Sequence, residues 1–135
     1  AKDKDGSEFG IYGQHLASDG TKIGTDFLVN IDTVGSQFWP KVAGFAGGGF
    51  VAVWQDAHQN DLDCIEGRLF DAAGEGSDEQ ISPCTFTIGS QSEPDVEALK
   101  DDTFIIVWHS NPNDQDEMDG IFAQRFDAGG KKLHH

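Results

Sequence analysis

Laid over itself at an offset of 54 residues, this chain repeats without a gap: Ile11–Asp63 matches Ile65–Glu117. The identities include Gly13/Gly67, Gly20/Gly74, Gly35-Ser36-Gln37/Gly89-Ser90-Gln91, Pro40/Pro94, Phe50/Phe104 and Trp54/Trp108. A third start follows at Gly120-Ile121-Phe122-Ala123-Gln124-Arg125-Phe126-Asp127. It echoes Cys64-Ile65-Glu66-Gly67-Arg68-Leu69-Phe70-Asp71 and, more loosely, Gly10–Leu16. A period of this length marks a supersecondary unit that cannot bury its own apolar face, so each copy must lean on the next.

Each unit reads as four short strands, a to d. Strand a is Ile11–Leu16, Ile65–Phe70 and Ile121–Phe126, closed by turns at Gly20, Gly74 and Gly129-Gly130. Strand b is short, at Phe27–Ile31 and Thr85–Ile88. Gly35-Ser36-Gln37 with Pro40, repeated as Gly89-Ser90-Gln91 with Pro94, predicts a loop. Strand c is Lys41–Ala46 and Asp95–Lys100, and strand d is Phe50–Gln55 and Phe104–His109. The hairpins between them turn at Gly47-Gly48-Gly49 and Asp101-Asp102-Thr103. Phe-Val-Ala-Val-Trp and Phe-Ile-Ile-Val-Trp are near-continuous apolar runs and predict burial on both faces of strand d, with Trp54 and Trp108 in the core. No window holds a helical period.

The expected fold is all-β: antiparallel four-stranded units resembling propeller blades, two complete plus one extra strand. The chain is read as one domain, 1–135, with units at about 10–63 and 64–119, a partial third at 120–130, and a tag remnant at 131–135. Two units cannot close a ring that takes about 4–8 blades. The chain could be cut from a longer repeat protein, could assemble from several copies, or could pack its sheets as a β-sandwich. The extra strand a could complete a neighbour's sheet by exchange.

Gly48-Gly49-Phe50-Val51-Ala52-Val53-Trp54, Gly120-Ile121-Phe122-Ala123-Gln124-Arg125-Phe126-Asp127-Ala128, Phe27-Leu28-Val29-Asn30 and Gly35-Ser36-Gln37…Pro40-Lys41-Val42-Ala43 together resemble a tandem repeat of large secreted, calcium-associated bacterial surface proteins of the RTX kind. The resemblance implies a repeat of propeller type and an extracellular or cell-surface setting, and no particular activity. The chain departs from the pattern at Asp101-Asp102-Thr103, where the repeat has Gly-Gly, and at Ile81-Ser82-Pro83-Cys84, where it has Phe-Leu-Val-Asn.

With 24 acidic and 9 basic residues, the net charge of −15 repels phosphate backbones and anionic lipid and points away from nucleic acid and membrane insertion. The same charge attracts cations. The loops between strands d and a carry Asn60, Asp61 and Asp63, then Asn113, Asp114, Asp116, Glu117 and Asp119; their hard oxygen donors suit Ca²⁺, and they equally suit a solvated connection. Asp3-Lys4-Asp5-Gly6-Ser7-Glu8 looks like the tail of a third such loop. Cys64 and Cys84 each lie ten residues from Gly74 at the hairpin turn. That symmetry would bring them opposite each other as a disulfide, implying an oxidising compartment; the alternative is two free thiols.

No nucleophile elbow, zinc-protease helix or phosphate-cradling loop is present. Phe38 and Trp39 align with Ser92 and Glu93, so this aromatic pair is unique to one unit and suits a glycan or protein contact, or local packing under the loop. The leading expectation is a non-enzymatic interaction module of an extracellular protein, associating with itself or neighbouring repeats, with calcium in its loops. A lectin-like glycan-binding module and a hydrolase with a carboxylate site are the alternatives.

Overall fold

The computed structural model describes residues 10–31, 36–57, 63–81, 90–111 and 120–133, and the protein is all-β among them. The strands are β1 (Tyr12–Leu16), β2 (Lys22–Leu28), β3 (Ser36–Gly44), β4 (Phe50–Ala57), β5 (Asp63–Phe70), β6 (Ser90–Ala98), β7 (Phe104–Asn111), β8 (Gly120–Phe126) and β9 (Lys132–Leu133). They form three antiparallel sheets, β1-β2, β3-β4-β5 and β6-β7-β8-β9. The second sheet is extended by antiparallel bridges from Ile81 to Gly67 and from Gly76 to Phe70.

Sequence unit and sheet are out of phase. Each full sheet joins c and d of one unit to a and b of the next: β4 (strand d) pairs with β5 (strand a), and β7 with β8. The third strand a, expected as a spare element for exchange, is therefore committed: β8 pairs with β7 from Phe104↔Phe126 to Ser110↔Gly120. Lys132 and Leu133, read from sequence as a tag remnant, are β9, paired to Phe126 and Arg125. The incomplete element lies at the other end, where β1-β2 is an a–b pair with no c–d hairpin among the described residues.

Two strand boundaries differ from expectation for identifiable reasons. The predicted loop around Pro40 is part of β3, and that around Pro94 is part of β6. Proline cannot donate to the ladder, so the strand bulges around it instead of ending. The register slips between Phe38 and Lys41, and at the same repeat position between Ser92 and Asp95. Trp39 (φ 57°) and Glu93 (φ 54°) hold the left-handed conformation of the two bulges. Strand b comes earlier than predicted, as Lys22–Leu28, because the turn at Gly20 is tight. The predicted strand at Thr85–Ile88 lies outside the described residues.

The a–b turn has the same backbone three times, with Gly20, Gly74 and Gly130 N–H donating to the carbonyls of Ala17, Asp71 and Asp127, and two of the three add an aspartate cap. Asp71 Oδ1 accepts from Ala73 N–H and Glu75 N–H, and Asp127 Oδ1 accepts from Gly129 N–H and Lys131 N–H. Gly20, Gly74 and Gly130 supply the left-handed residue, at φ 88°, 86° and 86°. In the first turn Ala17 stands where the others have Asp. There Asp19 accepts from Thr21 N–H and from its hydroxyl, which holds the Asp19 carboxyl below its usual range.

The sheets stack in chain order, with the second in the middle. On its first face, Ala52, Trp54 and Phe70 pack against Ile11 and Val29 of the β1-β2 layer. On its second face, Val51, Val53 and Ile65 pack against Val96, Phe104, Ile106, Trp108 and Phe126 of the third sheet. Strand β4 is thus buried on both sides, as its apolar run required. Paired rings run up each first face: Phe50 stacks on Phe70 at 4.6 Å, and Phe104 on Phe126 at 5.1 Å.

The c–d turns differ in composition. The first uses Gly48 and Gly49 at positive φ, whereas the second forces Asp101 (φ 63°) and Asp102 (φ 59°) into the left-handed region. Asp102 is compensated, because its Oδ1 accepts from Ala46 N–H at 3.1 Å and ties the third sheet's turn to the second's. Asp101 is exposed. Asp101→Gly is therefore expected to stabilise the protein by about 0.5–1 kcal/mol in urea denaturation, while Asp102→Gly yields no such gain because it removes the tie to Ala46.

Candidate functional site

The repeat allows each surface to be compared with its own equivalents. Cross-strand pairs share one face of a sheet. On the second face of the middle sheet these pairs are Val51↔Leu69, Val53↔Gly67 and Gln55↔Ile65. On the third sheet they are Ile105↔Arg125, Val107↔Ala123 and His109↔Ile121. The middle face is covered and Ile65 is 0% exposed; on the third sheet Ile121 is 74% exposed. Ile105 and Val107 are half-buried there, and Asp95, Glu97 and Arg125 stand exposed around them. The outer face of the third sheet is an apolar centre with a charged rim, built from residue types that are core in the preceding copy.

The stack is also open at its start. Val42 of β3 is 66% exposed, whereas its equivalent, Val96 of β6, is 9% exposed and belongs to the core. Beside Val42 lies a cavity of about 410 Å³, walled by Gly13 and His15 of β1 and floored by Val42, Phe50 and Ala52.

A buried polar clasp holds the first two sheets together. Ile11 N–H donates to Asn30 Oδ1 at 2.9 Å, Asn30 Nδ2 donates to Gln37 Oε1 at 3.1 Å, and Gln37 Nε2 reaches Asp56 Oδ1 at 3.4 Å. Asn30, Gln37 and Asp56 are at most 1% exposed. Sequence reading took Gln37 as part of a loop and did not single out Asn30 or Asp56; the repeated Gln37/Gln91 pair was the available signal. The equivalent pair, Gln91 Nε2 to Ser110 Oγ, spans 3.5 Å. Hydrogen-bonded polar groups of this kind fix the register of buried layers.

Of the residues singled out in sequence, Trp39 is 56% exposed on its bulge. Phe38 meets it edge-on at 5.1 Å. Trp39 lines a shallow recess with Pro40, Lys41, Glu93 and Pro94, so the two bulges lie side by side. The proposed calcium ligands Asn60, Asp61, Asn113, Asp114, Asp116, Glu117 and Asp119 lie outside the described residues. Asp63 is described only as a strand position paired with Ala57. Among the described residues, no three His, Cys, Asp or Glu side chains cluster in a way that could hold a metal ion. Cys64 is disulfide-bonded; Cys84 lies outside the described residues. No described helix is long and apolar enough to cross a membrane.

No protein-family model matches the chain, and no curated protein or solved structure is significantly similar to it.

Proposed function

We propose that this protein is a non-enzymatic assembly module, a run of stacked β-sheets that takes a further sheet on the outer face of its third. The observation that carries this reading is the contrast between Ile65, 0% exposed under the next sheet, and Ile121, 74% exposed at the same repeat position. An apolar sheet face ringed by charge is a suitable core and rim for protein–protein contact. Each added sheet is twisted relative to the last, so a continued stack would curve towards a ring of propeller type. The occupant of this face in the isolated protein is a second copy. The Cys64 disulfide supports an oxidising, extracellular setting, and we take its partner to be Cys84, the only other cysteine of the chain.

With a net charge of −15 on each copy, self-association must overcome mutual repulsion and should strengthen with salt. Multi-angle light scattering in about 0.5 M salt, where the Debye length is only about 4–5 Å, should show concentration-dependent association. Ile121→Asp should leave a monomer with an unchanged melting temperature, because the residue is exposed. A wild-type chain that stays monomeric throughout, or an Ile121→Asp variant that associates as well as the parent, would overturn the proposal.

A further inference from the structure

We infer that the recess between the two bulges is a binding site for a neutral saccharide, whose pyranose face stacks on Trp39 while its hydroxyls meet Lys41 and Glu93. The site lies on β3 and β6, whereas Ile121 is on β8, so the inference does not depend on how the stack assembles.

Two of the three tryptophans are core, Trp54 at 0% and Trp108 at 3% exposure, and Trp39 at 56% is the exception. The fold does not ask for an aromatic there. The same bulge, in the same left-handed conformation, carries Glu93 in the next copy. The backbone strain therefore belongs to the repeat, and the indole is an addition to it. That indole is pre-set for contact: Phe38 meets it edge-on at 5.1 Å, and Pro40 stiffens the chain after it. The facing wall is fixed as well. Glu93 N–H donates to Gln55 Oε1 at 3.3 Å, which ties the bulge of the third sheet to β4 of the second. Pro94, beside Glu93, is buried.

The ligand class follows from what lines the recess. Its volume is about 480 Å³, within the range of about 300–1,000 Å³ of small-molecule sites. The indole offers a flat apolar platform. The exposed Glu93 carboxylate only accepts hydrogen bonds, and the exposed Lys41 ammonium only donates them. A ligand matching all three needs a flat apolar face ringed by groups that both donate and accept. A pyranose with equatorial hydroxyls is such a body, with C–H bonds on its faces and hydroxyls around its rim. An anion would meet Glu93 and the net charge of −15. A cation over the indole would sit beside the Lys41 ammonium. A proline-rich segment would suit the indole but brings no backbone N–H to Glu93.

The test titrates the full chain with cellotetraose, a β-linked glucose chain whose ring hydroxyls are all equatorial. Acrylamide quenching of tryptophan emission and calorimetric heat follow the binding. Stacking should shield Trp39 from acrylamide and shift its emission to the blue, saturating with a Kd in the millimolar range or below. Trp39→Glu, which copies the next bulge, should keep the parent's circular dichroism and weaken calorimetric binding by about tenfold or more. Glu93→Gln should keep the stacking and weaken binding severalfold, because a carboxylate accepts stronger hydrogen bonds from hydroxyls than an amide does. Ile121→Asp should bind like the parent, so loss of self-association and loss of saccharide binding are read apart. No shielding at about 10 mM cellotetraose, roughly ten times the Kd of a weak site of about 1 mM, would overturn the inference. A Trp39→Glu chain that binds as well as the parent would do the same, as would decaproline that shields Trp39 where cellotetraose does not.

Discussion

Trp54→Ala is expected to destabilise the protein by about 3–5 kcal/mol, the range for removing a large aromatic from a packed core. Trp54 is 0% exposed and packs with Ile11, Val29 and Phe70, so its indole joins the first sheet to the second. Its loss opens a cavity between layers that cannot close without breaking the Ile11–Asn30–Gln37 clasp. Set against a typical total of about 5–15 kcal/mol, such a loss consumes a large part of the stability. Urea denaturation followed by circular dichroism measures it. Trp54→Phe should cost much less than the alanine change. Among the described residues Trp54 Nε1 is buried without a hydrogen-bond partner, so phenylalanine keeps most of the apolar contact while removing a donor that is unsatisfied. A Trp54→Ala loss below about 1 kcal/mol would show that the two layers are not coupled as described.

Reducing the Cys64 disulfide is the second large effect. With Cys84 as the partner we propose, the crosslink closes a loop of about 20 residues, which restricts the unfolded chain and contributes about 3 kcal/mol. At about 3–4 °C per kcal/mol, reduction should lower the melting temperature by about 10 °C. The repeat shows what this crosslink stands for. At the 54-residue offset, Gly10 aligns with Cys64 and Asn30 with Cys84. In the first unit, the same place is held by the hydrogen bond from Ile11 N–H to Asn30 Oδ1. One unit clasps the start of strand a to the end of strand b through an amide, and we propose that the other does so through sulfur. Cys64→Ser with Cys84→Ser should reproduce the effect of reductant, and adding reductant to that variant should change nothing further. A melting temperature indifferent to reductant in the parent would exclude the contribution.

The parts of this structure that were legible in sequence are those governed by local composition. The apolar run Phe50–Trp54 required burial on both sides, and β4 has it. The run Phe104–Trp108 made the same demand, yet only Phe104, Ile106 and Trp108 are in the core, because Ile105 and Val107 face a side with no described sheet on it. The exposure of Trp39 was foreshadowed by its alignment with Glu93, a residue that does not suit a core. Pro40 and Pro94 misled, since proline marks a turn as readily as a bulge, and here the bulge prevails. The phase of the sheets was not legible at all. A constant offset aligns the copies equally well wherever the period is cut, and only the pairing of β4 with β5 reveals that the cut falls between b and c.

That displacement between sequence period and sheet has a mechanical meaning. A unit that lends its first two strands to the sheet before it and its last two to the sheet after it cannot come loose by itself. Freeing it means tearing both the β4–β5 ladder and the β7–β8 ladder. Copies joined in this way should unravel together, so the chain lends itself to transmitting load as one continuous fabric rather than as beads that open one at a time.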